Sequence, residues 1–349
     1  MLKDIIVLQD NFYIYGAQVV AYGVYKAIRQ LYRKQPECFL VNRPEGNPRE
    51  IEGIPVCFTW EKIPKNSLII VAVTELLQGE IAKALTEAGF TNLFLLTQHE
   101  EHLLMSDYFA DTGKFPLAKV SKNSVSADLA MYEVRNHRDK NLFTRPPLQE
   151  FEHTIQAGAD LTEERIADIL DHTGENISLR NKQYCEMTAT YWVWKNTRHA
   201  WKGIEHYRRH LLVKPEMLSD DVDVILPLPY ICYPNTLAQF RRFVSEDVLQ
   251  ALLRALRDLH PDEYEEYLTI LRGQFQYTYN LVCARDKVFE DYCAWFFRIT
   301  EHMEGMADEV PEIGNTRALS YVAEVLTNLY FMSHQDVWRI RHVEKAIYV

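Results

Sequence analysis

The sequence predicts an α/β protein in which a parallel-sheet domain precedes a larger mixed domain. Over residues 12–96, short apolar runs alternate with segments of helical periodicity, which is typical of strands joined by crossover helices. Residues 68–73 form a continuous apolar run, as expected of a parallel strand that is buried on both faces. The length of 349 residues is sufficient for two domains of ordinary size.

The amino-terminal domain is predicted to be Rossmann-like and to span residues 1–118. Its strands are predicted at residues 12–15, 38–41, 54–58, 68–73 and 93–96, and its helices at 17–32 and 78–88. Gly89 stands where a left-handed residue ends many helices. The polar segment 111–126 is the best candidate for a linker to the next domain.

The turn at Gly16 lies where a dinucleotide-binding domain would hold a phosphate. The three positions of the glycine motif read Gly16, Gln18 and Ala21, so the second glycine is missing. Asn42 stands where an acidic residue would bind a ribose. We therefore favour a domain without cofactor. The alternatives are a nucleotide or another anion at the helix amino terminus and, on Gly16 alone, a nicotinamide-dependent oxidoreductase.

Composition narrows the class of protein. Apolar residues make up 47% and charged residues 25%, as in folded globular chains. The formal net charge of −11, from 38 Lys and Arg against 49 Asp and Glu, argues against general nucleic-acid binding. Six cysteines without a C-x-x-C pair favour a reducing compartment over a zinc knuckle. Without a signal peptide or a run of 18 apolar residues, we expect a cytoplasmic protein.

The second domain, residues 119–349, is predicted to be mixed α/β with a helical carboxy-terminal third. Strands are predicted at 129–134, 223–226 and 281–284, and helices at 163–170, 181–194, 237–259, from 261, 289–302 and 318–332. The tail 338–349 alternates basic and apolar residues. We expect it to be a solvated terminal helix, with peripheral contact to an anionic membrane surface as the alternative.

The helix predicted at 181–194 carries an unusual number of polar groups beside its aromatic residues. Asn181, Cys185 and Thr188 share one helical face, Glu186 lies on a neighbouring face, and Ser178 is a candidate cap. These polar groups are predicted to face a cleft. The alternative is a solvated face above a core of aromatic side chains.

Arg208 and Arg209 are the strongest candidates for an anion site. They are adjacent, and His206 and His210 flank them. The planar fork of arginine binds phosphate or carboxylate with two parallel hydrogen bonds, so the pyrophosphate of a nucleotide-sugar is a suitable ligand. One alternative is that both arginines pair with surface carboxylates. Another is that the histidines are merely packed or, if the segment is helical, bind zinc from positions i and i+4.

Three segments of the second domain together form a recognisable pattern. They are the turn 174–178 (GENIS), the aromatic segment 184–196 and the segment 206–209 (HYRR). On these motifs, residues 127–349 resemble a bacterial family of capsular-polysaccharide and exopolysaccharide glycosyltransferases, including galactofuranosyltransferase-like members. Weaker similarity is found at 153–161, 223–227, 280, 292–297 and 317–326. The segment 137–140 only approximates the basic pair that this family places after its first strand.

The resemblance implies a GT-A-like fold and transfer of galactofuranose or galactose from a UDP-sugar to a surface polysaccharide or a lipid-linked acceptor. In many such enzymes a D-x-D pair at the end of a central strand holds a metal on the diphosphate. The comparable place here is His206-Tyr207-Arg208, where arginine would neutralise the diphosphate directly. We therefore expect metal-independent transfer, with Mn²⁺ or Mg²⁺ as the alternative. Asp221 and Asp223 spell D-x-D but precede their strand, so we do not assign them to the site.

The resemblance also implies which residues form the site. Glu324 is the candidate general base of an inverting transferase, with Glu205 and Glu186 as rivals. The residues expected to bind substrate are Asn176, Arg180, Asn181, Glu186, His206, Tyr207, Arg208, Arg209, Asn280 and Arg317. The alternative function is a nucleotide-sugar-binding or regulatory protein whose transferase domain has no turnover.

Overall fold

The computed structural model describes residues 2–9, 11–120, 128–142, 144 and 146–348. The chain forms two compact units. The first comprises Met1–Pro116 and Tyr230–Asn235, and the second comprises Leu117–Pro229 and Thr236–Val349. Positions 121–126 of the predicted linker lie outside the described residues. Within the described residues, no helix combines the length and the apolarity needed to cross a membrane.

The secondary structure is mixed α/β with parallel sheets, as predicted. The helices are α1 (Leu2–Ile6), α2 (Val19–Tyr32), α3 (Glu75–Glu87), α4 (Gln98–Thr112), α5 (Asn181–Tyr184), α6 (Met187–Asn196), α7 (Thr236–Phe240), α8 (Glu246–Leu259), α9 (Tyr264–Arg272), α10 (Asp286–Glu304), α11 (Pro311–Asn315) and α12 (Ala318–Ser333). The strands are β1 (Phe12–Tyr15), β2 (Phe39–Leu40), β3 (Glu50–Ile51), β4 (Ile54–Cys57), β5 (Leu68–Val71), β6 (Leu93–Leu95), β7 (Leu129–Arg135), β8 (Glu152–Gln156), β9 (Ile169–Leu170), β10 (Trp201–His206), β11 (Arg209–Leu211), β12 (Val224–Pro227), β13 (Tyr230–Ile231), β14 (Phe275–Gln276), β15 (Val282–Arg285), β16 (Ile340–Val343) and β17 (Lys345–Ile347).

The first unit contains a six-stranded sheet in the order β3-β4-β2-β1-β5-β6. All neighbouring pairs are parallel except β3 with β4. Every residue of β5 is buried, which explains its uninterrupted apolar sequence. Gly16 follows β1 with φ +118, and a Cβ there would lie 2.7 Å from the carbonyl oxygen of Ala72. The backbone therefore requires glycine at this turn without any reference to a ligand.

The helix α4 was not predicted, although its start carries a recognisable signal. The Thr97 hydroxyl accepts a hydrogen bond from the Glu100 amide, while the Glu100 carboxylate accepts one from the Thr97 amide. This reciprocal pair is a capping box. The helix packs against α2 within the first unit.

The second unit is organised around a nine-stranded sheet. Its main order is β16-β12-β15-β10-β7-β8-β9, and β11 pairs with both β10 and β17. The strands β10, β7, β8 and β9 run parallel to one another, so their carboxyl ends meet at one edge. Residues 236–333 are mostly helical, with α10 packed against α8, α12 and α6.

A helix predicted at residues 163–170 is absent. The Gln156 side chain donates to the Glu164 carbonyl and accepts from the Ile166 amide, and the Thr154 hydroxyl bonds to Asp168. These side-chain contacts hold the segment beside β8 until it joins the sheet as β9. The prediction was wrong because the spacing of apolar residues gives no information about these side-chain hydrogen bonds.

The helix predicted at 181–194 is broken in two at Cys185, whose φ is +49. The Asn181 side-chain amide donates to the Cys185 carbonyl and to the Thr188 hydroxyl, which stabilises the break. Ser178 does not cap this helix through an amide of its first turn. Its hydroxyl donates to the buried Asp171 carboxylate instead. The break places Glu186 at the start of α6.

The tail is not the terminal helix that we expected. β16 pairs in parallel with β12, and β17 pairs antiparallel with β11. The alternation of basic and apolar residues is therefore the period-two pattern of strands. Arg339, just before β16, binds Asp223 with two charged hydrogen bonds of 2.7 and 2.8 Å.

Candidate functional site

A cavity of about 800 Å³ opens in the second unit where β7, β8 and β10 end. Ligand sites of α/β proteins commonly lie at the carboxyl ends of parallel strands. The lining residues are Val134, Arg135, Asn136, His137, Arg138, Asp139, Ala157, Leu161, Leu179, Asn181, Lys182, Gln183, Cys185, Glu186, His206, Tyr207, Arg208, Arg209 and Arg317.

The cavity is basic although the chain is acidic. Five arginines and one lysine line it, against one aspartate and one glutamate. In a chain of net charge −11, this concentration of positive charge produces a local field that attracts anions. The cavity is therefore suited to a ligand that carries several negative charges.

The segment 206–209 forms a tight hairpin rather than a helix. β10 ends at His206 and β11 begins at Arg209, and these two residues pair across the turn. The Tyr207 amide donates to the Val134 carbonyl, and the Arg208 carbonyl accepts from the Tyr348 amide. The strand geometry excludes the helical i, i+4 zinc arrangement of His206 and His210. The hairpin instead places Tyr207 and both arginines at the cavity.

The two hairpin arginines contact aromatic rings. The Arg209 guanidinium lies 4.2 Å from the centre of the Tyr279 ring, and that of Arg208 lies 5.7 Å from the centre of the Tyr207 ring. The Arg209 Nε is buried and has no hydrogen-bond partner among the described residues. In that part of the chain, neither arginine forms an ion pair with a carboxylate. Their donor groups are free for a ligand.

His206 adds a neutral polar group to the cavity wall. Its Nε2 atom is buried and has no hydrogen-bond partner within the described part of the chain. Burial lowers the pKa of His206 to about 4, and the neighbouring arginines act in the same direction while Glu186 opposes them. The ring is therefore uncharged at neutral pH and can accept or donate one hydrogen bond at Nε2.

Glu186 is held in place by a chain of buried hydrogen bonds. Its Oε1 accepts from the Asn280 side-chain Nδ2 at 2.8 Å, and the Asn280 side-chain Oδ1 accepts from the Thr327 hydroxyl at 2.8 Å. Thr327 also hydrogen-bonds to the Tyr292 hydroxyl at 2.7 Å. Asn280 is nearly fully buried and is not among the residues that line the cavity; its link to the cavity wall is the hydrogen bond to Glu186.

Glu324 lies beside this group on α12 but does not line the cavity. Burial raises the pKa of Glu324 to about 7; Glu186 raises it further, whereas Arg209 and Arg317 oppose the shift. Glu324 is thus electrostatically coupled to the cavity residues and is only partly ionised at neutral pH. Its rival Glu205 is fully buried and lies outside the cavity lining.

The remaining predicted residues occupy different places. Asn181 and Arg317 line the cavity. Asn176 does not, because its side chain binds the carbonyls of its own turn and the Ser178 amide. Arg180 is half exposed and forms a 2.7 Å ion pair with Glu304.

The D-x-D sequence lies outside the cavity lining. Asp223 is ion-paired with Arg339 and Arg285 at 2.7 and 3.3 Å. Its carboxylate thereby connects the start of β12 to β15 and to the residue before β16.

In the sequence, the segment 137–140 approximates the family's basic pair, but the loop that follows β7 was not assigned to the site. Arg135, His137, Arg138 and Asp139 line the cavity, and the Asp139 carboxylate accepts a 2.7 Å hydrogen bond from the Asn136 amide. Burial raises the pKa of Asp139 to about 6. The signal was the run of polar residues directly after a buried strand, which marks the edge where ligands bind.

The first unit has a smaller cavity of about 350 Å³, lined in part by Asn42, Trp60 and Lys65. At the Gly16 turn, the Gln18 side chain donates to the Gly46 carbonyl and to the Asn47 side-chain oxygen. Gln18 stands where the dinucleotide-binding motif has its second glycine, and its side chain is thus hydrogen-bonded to residues between β2 and β3 of the same unit.

Comparisons with known proteins give one family and one similar fold. Residues 134–335, more than half of the chain, match the family described as a domain of unknown function, DUF4422. No curated protein matches the sequence. The fold is similar to part of the WbbM bifunctional glycosyltransferase in its apo form, with a TM-score of 0.55 and 22% identity. The similar region covers 63% of this chain and 45% of the WbbM chain. This chain therefore spans less than half the length of WbbM.

Proposed function

We propose that this chain, which belongs to the DUF4422 family, is a glycosyltransferase that uses a UDP-sugar as donor. The observation that carries the proposal is the convergence of Arg208, Arg209 and four further basic side chains on one cavity at the ends of parallel strands. The similarity in fold to part of a bifunctional glycosyltransferase supports it. In this reading the second unit is a GT-A-like catalytic domain and the first a Rossmann-like domain without cofactor.

The basic side chains would bind the diphosphate of the donor. A nucleoside diphosphate-sugar carries its negative charge on two adjacent phosphates, and forked guanidinium groups bind such oxygens bidentately. The same contacts would strengthen as the sugar–phosphate bond breaks and charge develops on the departing UDP. Arginine would therefore replace the metal ion of other transferases, and transfer would proceed without Mn²⁺ or Mg²⁺.

A carboxylate at or beside the cavity would supply the general base. The acceptor hydroxyl gives its proton to a carboxylate while its oxygen forms a bond to the anomeric carbon, and the bond from that carbon to the diphosphate breaks. Glu324 is our candidate, because its pKa of about 7 suits a base near neutral pH. Glu186, which lines the cavity, is the rival. Attack from the face opposite the leaving group would invert the anomeric configuration.

The acceptor is proposed to be a bacterial surface polysaccharide or its lipid-linked precursor, with galactofuranose or galactose as the favoured sugar. This assignment follows from the resemblance of residues 127–349 to polysaccharide glycosyltransferases. The proposed location is the cytoplasm, with peripheral contact at the inner face of the membrane for a lipid-linked acceptor.

The first experiment is incubation of the full chain with a panel of UDP-sugars, measuring UDP release with and without glycan acceptors. Transfer predicts release from at least one donor that increases with acceptor. Binding of a UDP-sugar with no release under any acceptor would favour the alternative of a regulatory protein without turnover. No binding of any UDP-sugar would contradict both readings.

A further inference from the structure

Two aromatic side chains lie together outside the cavity lining, and Arg317 connects them to it. Tyr321 of α12 stacks on Phe243, which lies between α7 and α8; the ring centres are 5.5 Å apart and the ring planes differ by 23°. The Arg317 guanidinium lies 4.9 Å from the centre of the Tyr321 ring, and Arg317 itself lines the cavity. The aromatic pair therefore continues the cavity wall along the start of α12.

Phe243 is half exposed, with 50% of its surface accessible to solvent. Within residues 236–333, a stretch that the structure describes in full, no other large apolar side chain is exposed. Single exposed apolar residues are common on protein surfaces, so exposure alone does not indicate a site. The position of the ring, beside Tyr321 and the cavity, is what distinguishes it.

The corner that carries Phe243 is fixed by hydrogen bonds. The Phe243 amide donates to the Phe240 carbonyl at 2.9 Å, and the Ser245 hydroxyl caps α8 by accepting from the Val248 amide at 3.3 Å. The same hydroxyl donates to the Glu312 carboxylate on α11, the helix that precedes α12. The exposed ring is thus presented at a defined place relative to the start of α12.

Arg317, Tyr321 and Glu324 share one face of α12, because they are spaced by four and three residues. A general base must come within about 2.6–3.2 Å of the hydroxyl whose proton it accepts. If Glu324 is the base, the acceptor hydroxyl therefore has to reach this face of the helix.

The chain is closed to an acceptor on the carboxy-terminal side of Glu324. Thr327 and Asn328 are buried there, and the Asn328 side chain is hydrogen-bonded to backbone groups of residues 275–277 at 2.8 and 3.3 Å. These side chains belong to the core of the second unit. The approach that remains along this face is from the amino-terminal side, where Tyr321 lies.

The aromatic pair has the chemistry of a sugar subsite. A hexose ring has an apolar face of C–H groups and hydroxyl groups around its edge. The Phe243 ring offers an apolar surface with a partial negative charge on its face, which suits such C–H groups. Within the described residues, the Tyr321 hydroxyl has no hydrogen-bond partner and Arg317 forms no ion pair, so both can bind sugar hydroxyl groups.

We propose that Phe243, Tyr321 and Arg317 bind one hexose ring of the acceptor glycan, with the Phe243 ring against the apolar face of the sugar. The inference rests on the proposed sugar transfer and names its acceptor subsite. Glu324, which interacts electrostatically with both Arg209 and Arg317, would then lie between the donor diphosphate and the acceptor. A protein partner fits less well, because stable protein interfaces bury about 1,200–2,000 Å² and this stretch exposes one large apolar side chain.

The experiment is a nuclear magnetic resonance titration of the full chain, saturated with UDP, with galactose and galactofuranose oligosaccharides. Phe243→Leu keeps an apolar side chain but removes the ring, so it should weaken oligosaccharide binding about 3- to 10-fold, whereas Phe243→Tyr should stay within about twofold of wild type. Tyr321→Phe should weaken binding about 2- to 10-fold, because one hydrogen bond is lost. UDP affinity should be unchanged in all three variants. Phe58→Ala, which removes an exposed phenylalanine of the first unit, is the matched control.

Three results would overturn the proposal. The first is equal oligosaccharide affinity in wild type, Phe243→Leu and Tyr321→Phe. The second is the absence of oligosaccharide binding to wild type that has bound UDP. The third is a changed oligomeric state in Phe243→Leu with unchanged oligosaccharide affinity, which would assign the ring to a protein interface. If the variants behave as expected but no UDP-sugar releases UDP, the subsite stands and the proposed transfer fails.

Discussion

Two groups of arginines in the second unit differ in what their guanidinium groups contact. Arg285 and Arg339 surround Asp223, and Arg339 donates two charged hydrogen bonds to its carboxylate. Arg208 and Arg209 lie over aromatic rings at a cavity, and no carboxylate of the described residues pairs with either. Arginines of the first kind connect elements of the fold. Those of the second kind keep their donor groups for a ligand, and this difference is the basis of the proposed anion site.

The largest expected effect is on the chemical step. Glu324→Gln should lower kcat by about 10²–10⁴-fold, because in the proposed mechanism Glu324 is the base that takes the proton of the acceptor hydroxyl. UDP affinity, measured by calorimetry, should stay within a few-fold of wild type. If Glu324→Gln transfers sugar normally and Glu186→Gln does not, Glu186 is the base.

Next in size is the loss of donor binding in Arg208→Ala and Arg209→Ala. Each should weaken UDP binding by about 10- to 100-fold, since hydrogen bonds to charged groups contribute about 1.5–3 kcal/mol. Arg339→Ala is the matched control, because it removes an arginine that is already paired. Equal UDP affinity in Arg209→Ala and Arg339→Ala would contradict the assignment of Arg209 to the anion site.

The pH dependence of transfer tests which group at the proposed site acts as the base. A base acts in its deprotonated form, so kcat/KM should rise about tenfold per pH unit up to the pKa of Glu324, which is about 7, and then level off. His206, with a pKa of about 4, stays neutral over this range. This rise of kcat/KM on the acid side of the profile should be absent from the residual activity of Glu324→Gln. A rise that persists there would assign it to another group.

The smallest expected effect is on stability. Arg339→Ala should lower the urea midpoint of unfolding, because Asp223 loses its main partner. The hydrogen bond from Arg339 lowers the pKa of Asp223, so this stabilisation is present at neutral pH and is lost as the pH falls through that lowered value. Arg208→Ala should leave the midpoint unchanged. A larger decrease of the urea midpoint in Arg208→Ala than in Arg339→Ala would show that Arg208 stabilises the fold.

Much of the fold was predictable because its signals are local. The apolar run of β5, the Gly89 that follows α3 and the amphipathic spacing of α10 are all properties of neighbouring residues. The break at Cys185 and the loss of the helix predicted at 163–170 depend on side-chain hydrogen bonds from Asn181 and Gln156 to backbone carbonyls four and eight residues further along the chain, which helical spacing does not register. The tail was misread because strand pairing with β11 and β12 decides its structure.

Charge density was the clearest sign of the candidate site in the sequence. The pair Arg208-Arg209 stands out in an acidic chain, and both residues line the cavity. Arg180 looked equivalent in the sequence, but its partner Glu304 lies on α10, far along the chain. Arg135 and Arg138 were not assigned to the site, because a polar run after a strand does not by itself show which strand ends beside it; here β10 lies next to β7.

The most direct test of the central claim is calorimetric titration of UDP and of uridine into the wild-type chain and the Arg208→Ala/Arg209→Ala variant, with no added Mn²⁺ or Mg²⁺. The account predicts that UDP binds wild type at least tenfold more tightly than uridine does and that the double variant abolishes this advantage. Equal affinity for UDP and uridine in wild type, or an advantage that the double variant retains, would contradict it.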